Sequence, residues 1–291
     1  MANYGQPRVM LWVVWRSCST AVLRSISQAD GGVYYYEPFL SAAYEGPDSV
    51  FPRGEQDEET VDLPGADLAY SPSDNTFSWV KDTLEGQHEG ARFVIVKDTP
   101  LSLKLAGRDW DTIPQGYQHT FLIRNPSKTY PSLQRANEEY KPPGLMDETA
   151  VKDWQDEQFE TMGGDFKSIS DLYDYVTDNN LDPNPFIMDA DDLIAYPDIV
   201  LKAYCRATGI PFSMKMVEWE DSGQPPNVKW TTCQSHLQYF QCLHHSNAMK
   251  SRGFTKNIQA KPSTALHPKV AEIIQREMPF YNKMYGQRFV P

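Results

Sequence analysis

The segment VMLWVVWRSCSTAVLRSIS, from Val9 to Ser27, decides the fold. It opens with an apolar, β-branched and aromatic run, which predicts a buried strand over Arg8–Val14. It ends in an amphipathic pattern, which predicts a helix over Thr20–Gln28 with Ser19 as the N-cap. A strand, a short polar turn and a helix in this order form the outline of a loop that binds phosphate.

The turn Trp15–Thr20 carries groups that suit an oxyanion. Backbone N–H groups at a helix N-terminus point outward without partners and carry partial positive charge. The hydroxyls of Ser17, Ser19 and Thr20 add donors, and Arg16 adds a fixed charge with a planar donor fork. The Gly-Lys-Ser/Thr ending of an ATP-binding loop is absent, so the turn does not predict a site for Mg²⁺ and a nucleoside triphosphate.

Short apolar segments alternate with helical segments along the rest of the chain. This alternation predicts one α/β domain over residues 1–291, in which a parallel sheet is flanked by helices. The domain is expected to carry an acidic loop insertion at about 45–75 and a C-terminal helical part at about 214–291. Further strands are predicted at Gly32–Tyr36, Phe93–Lys97, His119–Ile123 and Pro185–Met188, and further helices at Thr76–Gln87, twice within Asp147–Asn179, at Pro197–Thr208 and at Pro268–Tyr285.

The carboxyl ends of parallel strands meet at one edge of a sheet, where ligands bind in such folds. The predicted ends carry the turn after the first strand, then Glu37, then Lys97 and Asp98, and finally Arg124. Asn-Pro forces a turn after Arg124, and Ser132 follows eight residues after that arginine, near the predicted start of a helix. A strand-end arginine and a helix-start serine can meet on one phosphate through charge-assisted hydrogen bonds.

The two turns together resemble those of the cytosolic and bacterial sulfotransferases, which use 3′-phosphoadenosine 5′-phosphosulfate (PAPS) as donor. In that family a Lys/Arg-Ser-Gly-(Ser/Thr)-Thr turn binds the 5′-phosphosulfate, and a later Arg-(Asn/Asp)-Pro…Ser binds the 3′-phosphate. Softer similarities are YEPF at 36–39, VKDTP at 96–100, the segment 189–211, and KSRGF at 250–254, which resembles a late cofactor loop. The resemblance implies a P-loop-like sulfotransferase fold and assigns cofactor binding to Arg16, Ser17, Cys18, Ser19, Thr20, Arg124, Ser132, Arg252 and Gly253.

The sequence departs from the family pattern at two positions. Cys18 stands where the family has glycine, the residue expected where a backbone must approach a ligand closely. Thr99 stands near the position of the catalytic histidine of the soluble enzymes. A general base must therefore come from elsewhere in the chain.

The expected reaction moves a sulfuryl group from PAPS, leaving 3′,5′-adenosine bisphosphate (PAP), to a hydroxyl or amine of a small-molecule acceptor. Arg16 would stabilise charge on the leaving phosphate, with Lys97 as a second cation. Glu37 is the first candidate for the general base, because it ends a strand beside an aromatic trio that would desolvate it. Asp98 is the second candidate, and an ion pair with Lys97 explains it equally well. Two alternatives stay open: a non-catalytic PAP- or nucleotide-binding protein of the same fold, and a nucleotide-dependent kinase.

The formal net charge of −12 argues against nucleic acid and anionic membranes as partners. The chain has no apolar run of roughly 20 residues, and its four cysteines fit a reducing compartment, so a cytoplasmic location is expected. A homodimer is left open. No metal is expected, since the cluster Cys233, His236, Cys242, His244 and His245 lacks a clean second ligand pair.

Overall fold

A parallel sheet forms the centre of the molecule. The computed structural model of the chain describes residues 5–49, 75–139, 147–219, 228–230, 248, 251–254 and 265–291. The strand order is β5-β4-β1-β3-β2-β6, and every pairing is parallel. The predicted fold class, a parallel sheet flanked by helices, is therefore confirmed. The strands are β1 (Arg8–Val13), β2 (Gly32–Tyr36), β3 (Phe93–Asp98), β4 (Gln118–Ile123), β5 (Phe186–Asp189) and β6 (Val228–Trp230).

The helices connect these strands and cover both faces of the sheet. They are α1 (Ser19–Ile26), α2 (Pro38–Glu45), α3 (Phe77–Glu85), α4 (Pro100–Leu105), α5 (Pro126–Glu139), α6 (Glu148–Thr161), α7 (Asp165–Asp178), α8 (Ala190–Ala195), α9 (Pro197–Thr208) and α10 (Pro268–Tyr285). The predicted bounds of α9 and α10 are confirmed, as are the two helices on either side of Gly163–Gly164. Most of the predicted acidic insertion and much of the predicted C-terminal part lie outside the described residues.

Three short helices and one strand were not predicted. The helices α2, α4 and α8 each begin within two residues of a strand end, and β6 is only three residues long. The helices α4 and α8 and the strand β6 contain six, six and three residues, which are too few to show a helical or strand period in the sequence. Two of the helices begin with proline, whose fixed φ suits the first position of a helix.

Helix α5 also begins earlier than the sequence suggested. Its first residue is Pro126, and the side chain of Asn125 accepts a hydrogen bond from the N–H of Ser127 at 2.9 Å. The prediction that Ser132 lies near the start of this helix was therefore wrong. Ser132 lies in the middle of α5 rather than near its start, and the Asn-Pro pair begins the helix directly.

The apolar run of β1 divides its side chains between the two faces of the sheet. Met10 and Trp12 join one buried cluster, and Val9 and Leu11 join the other. A strand buried on both faces is apolar throughout, which explains the uninterrupted run in the sequence. On the first face the indole N–H of Trp12 donates to Nδ1 of His119 at 3.0 Å, and burial lowers the pKa of His119 to about 4. His119 is thus a neutral structural acceptor.

The N-terminus of α7 is capped by a carboxylate from α10. Glu277 is almost fully buried and accepts hydrogen bonds from the backbone N–H groups of Gly164 at 3.1 Å and of Phe166 and Lys167 at 3.2 Å each. These bonds satisfy donors that have no partner inside the helix. They also connect α10, which is distant in sequence, to the helix that starts beside the strand ends.

Replacing Glu277 with Gln is expected to destabilise the fold by about 2 kcal/mol, because an amide NH₂ would face backbone donors that it cannot satisfy. Urea denaturation measures the loss. Glu272→Gln on an exposed position of the same helix is the matched control. Equal stability of the two variants would contradict the capping role.

Candidate anion-binding site at the strand ends

The two sequence elements expected to bind an anion lie in contact. The side-chain N–H at Nε of Arg16 donates to Oγ of Ser132 at 3.1 Å. A guanidinium N–H of Arg124 donates to the backbone carbonyl oxygen of Arg16 at 3.0 Å. The turn after β1, the end of β4 and the middle of α5 thus form one site. The ligand-binding roles of these residues stay predictions.

The backbone of the turn is held in a left-handed conformation at two residues. Arg16 has φ of 62° and Cys18 has φ of 65°, and Glu37 at the next strand end has φ of 49°. Among the described residues four non-glycine residues have positive φ, and these are three of them. Such a conformation costs a side-chain-bearing residue about 1–2 kcal/mol, and it persists where surrounding contacts enforce it, often at functional sites.

Cys18 takes the N-cap position of α1, which the sequence had assigned to Ser19. It makes no side-chain hydrogen bond to the helix, and Ser19 is the first helical residue. Its φ of 65° lies in the left-handed region, which glycine adopts most readily. The prediction of Ser19 as N-cap was wrong because the left-handed residue, rather than the hydroxyl, begins the helix.

The three hydroxyls of the turn are not equivalent. The hydroxyl of Ser17 is fully buried and donates to the carbonyl oxygen of Val14 at 2.7 Å. In this structure it therefore stabilises the turn instead of pointing outward as expected. Ser19 and Thr20 lie in the first turn of α1, and a hydrogen bond connects the Thr20 hydroxyl to the phenol of Tyr36.

Positive charge is concentrated around the turn. Burial lowers the pKa of Arg16, and the charges of Arg124 and Arg135 lower it further. The Nε atom of Arg124 is buried and has no hydrogen-bond partner among the described residues. A bound anion would relieve the repulsion between these guanidinium groups and supply the missing acceptor.

A buried ion pair lies at the neighbouring strand ends. The ammonium of Lys97, on β3, contacts the carboxylate of Glu37, which follows β2. The same ammonium lies 4.2 Å from the centre of the Tyr36 ring. Burial raises the pKa of Tyr36 well above its ordinary value, and the Glu37 carboxylate adds to the rise. Glu37 is also the N-cap of α2, and its backbone N–H donates to the carbonyl oxygen of Lys97 at 2.7 Å.

One interpretation of Asp98 was an ion pair with Lys97. The structure does not contain this pair. The carboxylate of Asp98 accepts hydrogen bonds from the backbone N–H groups of Phe39 at 2.6 Å and of Thr99 at 2.8 Å. Burial raises the pKa of Asp98 well above its ordinary value, with the Glu37 charge as the next cause. Asp98 therefore fixes the start of α2. Thr99 is the N-cap of α4 and accepts from the N–H of Leu101, so it also has a structural place.

Arg252 and Gly253 contact residues 218 and 219. The backbone N–H of Trp219 donates to the carbonyl oxygen of Arg252 at 3.0 Å, and Gly253 forms a β-bridge with Glu218. The indole of Trp219 lies against Arg24, on the buried side of α1. The expected cofactor contact of Arg252 and Gly253 stays a prediction.

The described part of the chain contains no group of three or more His, Cys, Asp or Glu side chains that could hold a metal ion. It also contains no helix with the length and apolar character needed to cross a bilayer. The cysteine and histidine cluster at 233–245 lies outside the described residues.

The known proteins to which the chain is similar share low sequence identity with it. No family model matches the chain. It is 26% identical over 281 residues to Branched-chain-amino-acid aminotransferase-like protein 2 of Arabidopsis thaliana, and 24% identical over 273 residues to Branched-chain-amino-acid aminotransferase-like protein 1 of the same plant. Each match covers 93% of the chain, which spans 40% of the length of these relatives.

Three solved structures that are similar to the chain are bacterial sulfotransferases or sulfotransferase domains. The sulfotransferase domain from the curacin biosynthetic pathway has a TM-score of 0.47 at 14% identity, covering 93% of this chain and 97% of that one. The sulfotransferase domain from the Synechococcus PCC 7002 olefin synthase has a TM-score of 0.45 at 16% identity, with coverage of 94% and 96%. A sulfotransferase from Alicyclobacillus acidocaldarius has a TM-score of 0.44 at 12% identity, with coverage of 97% and 96%. Likeness at this level does not transfer an activity.

Replacing Cys18 with Gly is expected to stabilise the fold by about 1 kcal/mol, because glycine adopts positive φ without strain. Chemical denaturation measures the change. Cys18→Ala is the matched control, since it removes the sulfur but keeps the Cβ atom and its strain. A glycine variant no more stable than the alanine variant would show that the turn carries no strain at this residue.

Proposed function

We propose that the chain transfers a sulfuryl group from PAPS to a hydroxyl or amine of a small-molecule acceptor. The observation that supports this most is the contact between the two anion-binding elements, through Arg16 to Ser132 and Arg124 to Arg16. One doubly phosphorylated adenosine has an anionic group at each end of its ribose. Two adjacent cationic groups, each with hydroxyl or N–H donors, match such a ligand.

Different residues would bind the two ends of the donor. Arg124 and Ser132 would hold the 3′-phosphate, and the Nε of Arg124, which has no hydrogen-bond partner in the described part of the chain, fits this role. Arg16 and the N-terminus of α1 would hold the 5′-phosphosulfate. When bound, PAPS supplies an activated sulfuryl group. In-line transfer of this kind asks little covalent chemistry of the protein, by analogy with phosphoryl transfer, so positioning and charge stabilisation carry the catalysis.

Glu37 is the proposed general base. It is buried, it follows β2 at the same edge of the sheet as the turn, and its carboxylate is held by Lys97. As the acceptor oxygen or nitrogen bonds to sulfur, the proton leaves the acceptor for the Glu37 carboxylate, and the sulfur–oxygen bond electrons stay on the phosphate. Lys97 keeps the carboxylate oriented and adds positive charge near the developing negative charge.

Two other functions use the same site differently. A kinase would need Mg²⁺ and the β- and γ-phosphates held together, and the turn lacks the lysine that serves them. A binding protein without catalysis would retain PAP and form no product. Stabilisation by PAP but not by Mg-ATP separates the first alternative from the proposal, and product formation separates the second.

Binding of PAP should raise the melting temperature, and Arg124→Ala should weaken PAP affinity about a hundred-fold, because it removes charge-assisted hydrogen bonds to a phosphate. Calorimetric titration measures the affinity. Arg206→Ala on the exposed side of α9 is the matched control and should bind normally. Equal affinity of both variants would remove Arg124 from the site.

Glu37→Gln should lower turnover by about a hundred-fold or more while PAP affinity stays near that of the unaltered protein, because a general base acts on the chemical step. The assay follows sulfated product from a panel of alcohols and amines, with PAP affinity measured in parallel. Unchanged turnover would assign the base elsewhere. Absence of any product from the unaltered protein, with PAP still bound, would support the binding-protein alternative.

A further inference from the structure

We propose that Arg24 is a positioning residue for PAP binding. It holds residues 251 and 252 against α1, so that Arg252 is in place when PAP binds at the N-terminus of that helix. The inference rests on the proposed function, because it requires PAP to bind at the turn before α1. Arg24 belongs to neither of the two predicted anion-binding elements.

Arg24 lies inside the molecule, on the helix that begins at the anion-binding turn. It is fully buried, and arginine is almost never fully buried unless its charge has partners. Helix α1 begins at Ser19, about 7.5 Å from Arg24 along the helix axis. A helical side chain leans back toward the N-terminus of its helix, so the Arg24 guanidinium extends toward the first turn of α1.

Arg24 and its neighbour on α1 bind two segments that follow α9 in the chain. A guanidinium N–H of Arg24 donates to the carbonyl oxygen of Ala248 at 2.8 Å. The centre of the same guanidinium lies 5.9 Å from the centre of the Trp219 ring. The hydroxyl of Ser25 donates to the carbonyl oxygen of Met216 at 2.5 Å. The two segments are therefore fixed to the side of α1.

The partners of Arg24 hold Ser251 and Arg252 in turn. The indole N–H of Trp219 donates to the carbonyl oxygen of Ser251 at 2.7 Å, and its backbone N–H donates to that of Arg252 at 3.0 Å. The hydroxyl of Ser251 donates to the carbonyl oxygen of Ala248 at 2.7 Å, the same acceptor that Arg24 uses. A continuous set of contacts thus leads from Arg24 to the backbone of Arg252.

The chemistry of arginine suits this role. Its guanidinium is planar and stays charged, so it can cover an aromatic ring and donate to a carbonyl oxygen at the same time. The buried side chain loses its rotamer freedom during folding, before any ligand binds. Residues that are already held in place lose less entropy on binding, which raises the affinity for the ligand. Arg24 would raise PAP affinity in this way, by acting through Arg252.

A double-mutant cycle on PAP affinity tests the inference. Calorimetric titration compares the unaltered protein, Arg24→Met, Arg252→Ala and the double variant. Each single replacement should weaken PAP binding by about ten-fold, and the double variant should also lose about ten-fold rather than about a hundred-fold. The losses should not add, because Arg24 has nothing further to position once the side chain of Arg252 is absent.

Arg8→Met is the matched control. Arg8 is also a buried arginine that donates to backbone carbonyl oxygens, those of residues 84–86, and it begins β1 at the end of the strand away from the turn. Its replacement should lower the stability in urea and leave PAP affinity unchanged. Arg24→Lys is the second control: it keeps the charge without the planar fork and should show most of the ten-fold loss.

The outcomes separate the two proposals. Additive losses in the double variant, unchanged affinity in either single variant, an equal loss in Arg8→Met, or full affinity in Arg24→Lys would each overturn the role of Arg24 and leave the proposed function standing. Absence of PAP binding by the unaltered protein would overturn the proposed function and, with it, this inference.

A second variant decides if Arg24→Met does not fold. Trp219→Phe keeps an aromatic ring beside Arg24 but removes the indole hydrogen bond to Ser251, which lies on the same path. Its cycle with Arg252→Ala should again be non-additive. Unchanged affinity in Trp219→Phe, or additive losses in the cycle, would overturn the inference.

Discussion

The hydrogen bond from Arg124 to the carbonyl oxygen of Arg16 is the constraint on which the site depends. It joins the end of β4 to a turn whose backbone is left-handed at Arg16 and Cys18. A strained turn keeps its shape only when neighbouring groups enforce it. Three hydrogen bonds hold this turn: from Arg124 to Arg16, from Arg16 to Ser132, and from Ser17 to Val14. The same bonds bring the guanidinium groups of Arg16 and Arg124 together.

Glu37 and Lys97, at the neighbouring strand ends, are also held in place by contacts between strands. Glu37 is also left-handed, and it is held by Lys97 on β3 and by the hydrogen bond of its own N–H to the Lys97 carbonyl oxygen. Asp98 fixes the helix that follows by accepting the N–H of Phe39. A carboxylate positioned in this way loses little entropy when it meets a substrate, since its orientation is set during folding. The buried pair is thus better understood as a means of orientation than as a source of stability.

The C-terminal helix α10 is joined to α7 by Glu277, which accepts the N–H groups of Gly164, Phe166 and Lys167. Asp165, the first residue of α7, is buried, and burial first and then Glu277 raise its pKa to about 7. Two carboxyl groups at one helix start raise the proton affinity of the one with fewer donors.

The sequence by itself determined the layered fold. The apolar run of β1 predicted a strand buried on both faces, and the polar turn with the later Arg124 predicted where an anion would bind, because period and residue chemistry are local properties. Only the tertiary structure decided which partner each charged group takes. Lys97 pairs with Glu37 rather than with adjacent Asp98, Ser17 turns inward, and Glu277 caps α7. These pairings depend on distances between segments far apart in the chain and on the cost of burying charge. A local sequence pattern does not indicate either of them.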